Sequence, residues 1–199
     1  GEAIVCGQLC QEPPFQHRST PEVSMESLKY PTGKFAPKGA PLTSDERREL
    51  QVRIRTLPGE VRAAVKGLTD AQLDTPYREG GWSPRQIGHH LADSHLNAFV
   101  RFKLALTEDV PTIKPYDQER WVALADVRGV PVDASLAILD GLHERWSRLL
   151  DSLTEEDFAR RLRHPEIGEI DLDFLLQMYA WHGRHHATQI SDLRQRQGW

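Results

Sequence analysis

Apolar residues recur at intervals of three and four along four long stretches of this chain, the spacing of amphipathic helices. The first starts at Thr43, whose spacing from Glu46 predicts a capping box, and runs to about Leu68 through Leu50, Ile54, Leu57, Val61 and Val65. Pro58 falls inside it and predicts a kink or break. The second starts at Ser83, with Pro84 at the first helical position and Gln86 completing another box, and continues through Ile87, Leu91, Ala98 and Phe102 to about Thr107. A long connection follows, broken by Pro111, Pro115, Gly129 and Pro131, with a short helix expected around 117–125. The third helix covers roughly 133–153, with Leu136, Leu139, Leu142, Trp146, Leu149 and Leu150 inward. The fourth covers roughly 171–194, through Leu172, Leu175, Leu176, Tyr179, Ile190 and Leu193.

Strand-like alternation is scarce, residues 169–172 being a short candidate. A weak internal echo, Leu68-Thr-Asp-Ala-Gln-Leu73 against Leu153-Thr-Glu-Glu-Asp-Phe158, gives two helix–loop–helix units. Such units pack naturally as a four-helix bundle. The expected class is therefore all-α, a four-helix bundle with a long connection between helices two and three. Residues 1–40, rich in Pro, Gly, Ser and Thr, read as extension and loop, and 41–199 as the domain. Met25 is the first methionine, and residues 1–24 carry no weight in the fold argument.

Two histidines change the picture. His182 and His186 lie four apart on the buried stripe of the fourth helix, with Cβ atoms expected about 5–6 Å apart. That distance lets two imidazoles grip one metal ion. On the second helix the stripe Ile87, His90/Leu91, Ser94, Ala98, Phe102 turns His90 inward, while His89 belongs to a less apolar stripe through Asp93 and Leu96. His90 is preferred over His89 as a third ligand. Three neutral histidines make the ligand set of a catalytic zinc site with an open position. The same pattern also suits a hydrogen-bonded histidine cluster without metal. Asp93 could orient a ligand ring, whereas His95 and His185 read as solvated or supporting. His17, His143 and His164 have no constellation around them. The motif is HxxxH without the Glu of HExxH, so the metalloprotease base is missing.

Composition excludes several alternatives. The 199 residues carry a net charge of −4 with both signs spread along the chain, which disfavours a nucleic-acid groove. No apolar run approaches the roughly 18 residues of a membrane span, and no secretory signal pattern opens the chain. Cys6 and Cys10, the two cysteines, read as incidental thiols, which fits a reduced, cytoplasmic setting. Glycine-rich phosphate loops and the Gly-x-Ser-x-Gly elbow are missing. The charged stretch 44–49 reads as a solvated helix face, and Trp121, Trp146 and Trp181 as core or pocket wall.

Several segments together resemble the YfiT-like branch of the DinB superfamily: Tyr30-Pro-Thr-Gly, Leu73-Asp-Thr-Pro-Tyr-Arg-Glu-Gly-Gly-Trp82-Ser, Gln86-Ile-Gly-His-His-Leu-Ala-Asp-Ser-His95, Arg101-Phe-Lys-Leu-Ala-Leu-Thr-Glu and Tyr179-Ala-Trp-His-Gly-Arg-His-His. The resemblance spans about Leu28–Trp199. It implies a DinB-like four-helix bundle, usually a homodimer, holding one divalent ion (zinc or nickel) on three histidines. On this chain those are one of His89-His90, His90 by preference, with His182 and His186. It further implies a metal-dependent hydrolase, or an S-transferase that passes a low-molecular-weight thiol such as bacillithiol to a small electrophile. Transfer is the favoured chemistry, because a coordinated thiol ionises without a separate base. The alternative is a non-catalytic bundle in which the metal is a structural staple.

Overall fold

The computed structural model describes residues 24–199; Cys6, Cys10 and His17 lie outside the described residues. Four long helices dominate: α2 (Ser44–Val65), α4 (Pro84–Thr107), α7 (Val132–Asp151) and α9 (Leu172–Gln197). Between and before them come the short α1 (Met25–Lys29), α3 (Asp70–Leu73), α5 (Gln118–Trp121), α6 (Ala125–Gly129) and α8 (Glu155–Phe158), and a hairpin of β1 (Arg161–His164) and β2 (Gly168–Asp171).

The long helices close a ring in which α2 packs on α9, α9 on α4, α4 on α7 and α7 on α2. Consecutive long helices α2 and α4 are therefore diagonal, as are α7 and α9. Both expected capping boxes form, Thr43 with Glu46 and Ser83 with Gln86, and fix where α2 and α4 begin.

The structure departs from the sequence pattern in specific places. α2 is not broken at Pro58. Pro58 has no N–H for the Ile54 carbonyl four residues back. Another helix fills that need, with His143 Nδ1 2.6 Å from Ile54 O. The single short helix expected at 117–125 is two, because Leu124 turns extended at ψ 162° and caps α6. The hairpin adds a small antiparallel element to a bundle expected to be all-α. Only Leu162 and Ile170 are buried on its two strands, too few to show as alternation. Within the charged stretch 44–49, Arg47 is buried: its Nε and a terminal nitrogen donate to the Asp173 carboxylate at 2.7 and 2.8 Å. Trp121 is partly exposed against Tyr116 rather than in the core.

The core has two apolar clusters. One surrounds Trp146, Phe102 and Leu176, the other Leu57, Leu91 and Ile190. Each fully buried large side chain contributes about 1.5–3 kcal/mol. On α9 the first cluster ends at Ala180 and the second begins at Ala187; on α4 the gap falls between Ala92 and Ala98. Histidines fill that gap.

Residues 29–42 form a strap along α9. Side chains of α9 hold its backbone: Gln189 donates to Lys29 O, Trp181 Nε1 to Gly33 O and Gln177 to Lys38 O, while the Leu42 N–H donates to Asp173. Contact positions descend on α9 as they rise on the strap, so the two run antiparallel.

Candidate metal centre

Two glycines let the histidine-bearing helices approach their neighbours. A Cβ on Gly88 would lie 2.4 Å from Val132 Cγ2, and one on Gly183 would lie 2.4 Å from Leu57 Cδ2. Each glycine sits within two residues of an inward histidine.

His90 from α4 and His182 and His186 from α9 converge. Each offers a ring nitrogen, and these atoms lie within 4.8 Å of one another. His90 Nε2 is 3.1 Å from His182 Nε2. Ring centroids are 5.1 Å apart for His90–His182, 4.9 Å for His90–His186 and 4.6 Å for His182–His186. Burial pushes all three imidazoles well below the ordinary histidine range, and the neighbouring histidines push the same way. Such rings are neutral and carry lone pairs.

The fit to a divalent ion follows from the donor set. Bonds of about 2.0–2.1 Å to one tetrahedral centre put donors about 3.4 Å apart, close to the 3.1 Å of the His90–His182 pair. His186 is oriented for this: its Nδ1 lies 2.8 Å from Gln189 Oε1. The Gln189 amide nitrogen faces Lys29 O at 3.1 Å and His185 Nε2 at 3.0 Å, which leaves Oε1 to accept the His186 Nδ1–H. The His186 Nε2 lone pair is then free for a cation.

The other sequence candidates take different places. His89 is engaged on both nitrogens, by Ser135 Oγ at 2.7 Å and Val130 O at 3.1 Å, and is not part of the cluster. Asp93 hydrogen-bonds to none of the histidines among the described residues; burial, and next Asp126, raise its carboxyl to about 6. His95 and His185 are buried, not solvated, and His143 does have a constellation. His95 lies between His143 and His182, with Nδ1 3.0 Å from His143 Nε2 and Nε2 3.2 Å from His182 Nδ1. The missed signal was in the spacing: Leu91, His95, Ala98, Phe102 and Leu136, Leu139, His143, Trp146 are both core stripes. His164 lies apart, accepting the Glu166 N–H.

His182, His185 and His186 line a cavity of about 360 Å³. Trp82 forms one wall, stacked on His186 at 5.8 Å and 17° and 4.6 Å from His90. Its Nε1 donates to Glu119. Tyr30 of the strap, 6.0 Å from His185, and Trp181 of α9, stacked on His185 at 4.7 Å, also line the cavity. Arg78 and Lys29 add positive charge at the same cavity.

Residues 53–190 match the DinB superfamily. The chain belongs to the DinB superfamily. A Bacillus cereus strain B4264 protein named "Putative metal-dependent hydrolase" is 50% identical to this DinB chain over 175 residues, 88% of this chain and 100% of that one. A Bacillus thuringiensis subsp. konkukian relative of the same description is also 50% identical with the same coverage. Among solved structures, YfiT from Bacillus subtilis, described as a probable metal-dependent hydrolase with an unusual four-helix bundle topology, superposes with a TM-score of 0.84. It is 42% identical, with 87% of this chain and 99% of YfiT covered. The four-helix bundle protein TT2238, 20% identical with a TM-score of 0.51 over 77% of this chain and 99% of that one, shares the fold. The diagonal placement of α2 and α4 in this DinB chain is a connectivity that a simple up-and-down bundle lacks.

Proposed function

We propose that this DinB protein is a divalent-metal-dependent enzyme acting on a small molecule, with His90, His182 and His186 as the metal ligands. The observation that carries the reading is the convergence of three neutral ring nitrogens beside an open cavity. A closed staple would shield all its ligands, whereas two of the three here, His182 and His186, line the cavity. Zinc or nickel suits three imidazoles. When bound, such an ion lowers the pKa of a coordinated water or thiol and so makes a nucleophile available at neutral pH.

The chain's own residues bind, orient and shield. Gln189 holds His186, and Trp82 covers His90 and His186 on one side. Tyr30, Tyr77, Trp82 and Trp181 give the cavity apolar walls for a small organic electrophile. Lys29 and Arg78 favour an anionic ligand there. Thiol transfer is favoured over water attack because a coordinated thiol ionises without a separate base. A bacillithiol-type thiol is the favoured co-substrate. Purified protein loaded with zinc or nickel is to be assayed with candidate low-molecular-weight thiols and a bimane electrophile. Thiol-dependent conjugation is expected, and turnover of an ester or amide without thiol would replace transfer by hydrolysis.

A homodimer belongs to the same reading. Leu96 and Val100, exposed one turn apart on α4, are apolar surface that a second copy could cover. Sizing by light scattering tests it, with a monomer overturning it. The cytoplasmic setting is also part of the proposal; among the described residues no helix is long and apolar enough to cross a membrane.

A further inference from the structure

The geometry points to a buried chain, Pro58–Ile54–His143–His95–His182, that sets which nitrogen of His182 carries its proton and so presents the Nε2 lone pair to the metal. The inference rests on the assignment of His182 as a ligand and adds His95, His143 and Pro58 as positioning residues.

The chain starts with a backbone defect. Pro58 cannot donate to the Ile54 carbonyl, which would otherwise accept the N–H four residues on. That oxygen instead lies 2.6 Å from His143 Nδ1. A carbonyl only accepts, so the proton must be on His143 Nδ1. No carboxylate hydrogen-bonds to these rings among the described residues, and burial lowers His143 to about 4, so the ring is neutral and its Nε2 is an acceptor.

His143 Nε2 faces His95 Nδ1 at 3.0 Å, so His95 must donate from Nδ1. Its Nε2 is then an acceptor, and it faces His182 Nδ1 at 3.2 Å. His182 therefore donates from Nδ1 and keeps a lone pair on Nε2, the atom 3.1 Å from His90 Nε2. Each tautomer forces the next, and the carbonyl at the end fixes the direction. His95 is fully buried and His143 nearly so, which holds the rings in place. Ligating histidines are commonly held by a carboxylate, carbonyl or water on the other nitrogen. Here the carbonyl acts through two intervening rings. An Ile54 oxygen cannot take up a proton, so the chain positions the ligand and does not carry protons away from the cavity.

Two measurements test this. Long-range ¹H–¹⁵N correlation spectra of the metal-free protein at neutral pH read each ring's tautomer, with assignments from single His→Gln variants. The expected result is Nδ1–H with unprotonated Nε2 for His143, His95 and His182; an Nε2–H tautomer or an imidazolium at His143 or His95 overturns the inference. The second measurement is zinc(II) affinity by competition with a chelator. His95→Leu is expected to weaken binding about 10–100-fold. His95→Gln, whose amide can accept from His182 and donate to His143, is expected to recover most of that loss. Pro58→Ala, which gives Ile54 a competing N–H, should weaken zinc binding and broaden or split the His182 ring signals. Equal affinity of His95→Leu and the parent overturns the positioning role. Failure of the parent to bind zinc or nickel overturns the metal reading instead, and the tautomer pattern then stands or falls on the spectra alone.

Discussion

Gly183 packs its bare Cα against Leu57, at a separation where a Cβ would sit 2.4 Å from Leu57 Cδ2. The contact lies between α2 and α9, one residue from His182 and one from Pro58. Gly183→Ala therefore pushes α9, which carries His182 and His186, away from α2. Overpacking of this kind costs typically about 1–3 kcal/mol. Urea unfolding is expected to show that loss. Leu57→Ala in the same chain is expected to make the pair strongly non-additive, since it removes the atoms that clash. Simple additivity would mean that the contact is not the cause.

Arg47 and Asp173 join the starts of α2 and α9 in a buried ion pair. The side-chain hydrogen bond to Asp173 raises the Arg47 guanidinium above its ordinary value, against the opposing effect of burial. Asp173 also accepts the Leu42 N–H, so one carboxylate holds the strap and α2 together. Arg47→Met leaves Asp173 buried without its cation, and breaking such a pair costs about 3–5 kcal/mol. A thermal melt of the variant is expected to drop by many degrees. A melt within a degree or two of the parent contradicts the role given to the pair.

Acid should destabilise the metal-free protein before any carboxylate titrates in the unfolded chain. Burial depresses His143 from 6.5 to about 4, with the Ile54 carbonyl opposing. The unfolded chain takes up this proton below pH 6.5 and the folded chain does not. Stability from His143 is thus complete above 6.5 and falls, by about 1.4 kcal/mol per pH unit, toward pH 4. Asp93 acts in the opposite sense, because burial, and next Asp126, raise it from 3.8 to about 6. Its contribution is complete below 3.8 and lost as pH rises through 6. Below pH 6 the two offset each other, so the reading is the difference between proteins: from pH 7.5 down to pH 5 the urea midpoint of the parent is expected to fall relative to that of His143→Gln. A constant difference between the two across that range contradicts a buried neutral His143.

The long helices and their starts were legible because they rest on local chemistry. Thr43 with Glu46 and Ser83 with Gln86 form reciprocal caps within one turn, and the stripes run long enough to establish a period. The paired spacing of His182 and His186 was legible for the same reason. His95 and His143 sat on equally good stripes, but their partners are one another and a carbonyl of a third helix, pairings that no local spacing shows. His89 against His90 turned on about 100° of helix rotation; the ring contacts of His89 with Ser135 and Val130 needed the α4–α7 packing. Pro58 read as a helix breaker because its compensation comes from α7. The burial of Arg47 depended on Asp173, far away in the chain.

Bound metal per chain, measured by elemental analysis after purification in the presence of zinc, addresses the ligand assignment most directly. The account predicts one equivalent in the parent and in His89→Ala, whose ring is engaged elsewhere, and almost none in His90→Ala, His182→Ala or His186→Ala. Full metal in His90→Ala, or its loss in His89→Ala alone, would contradict it.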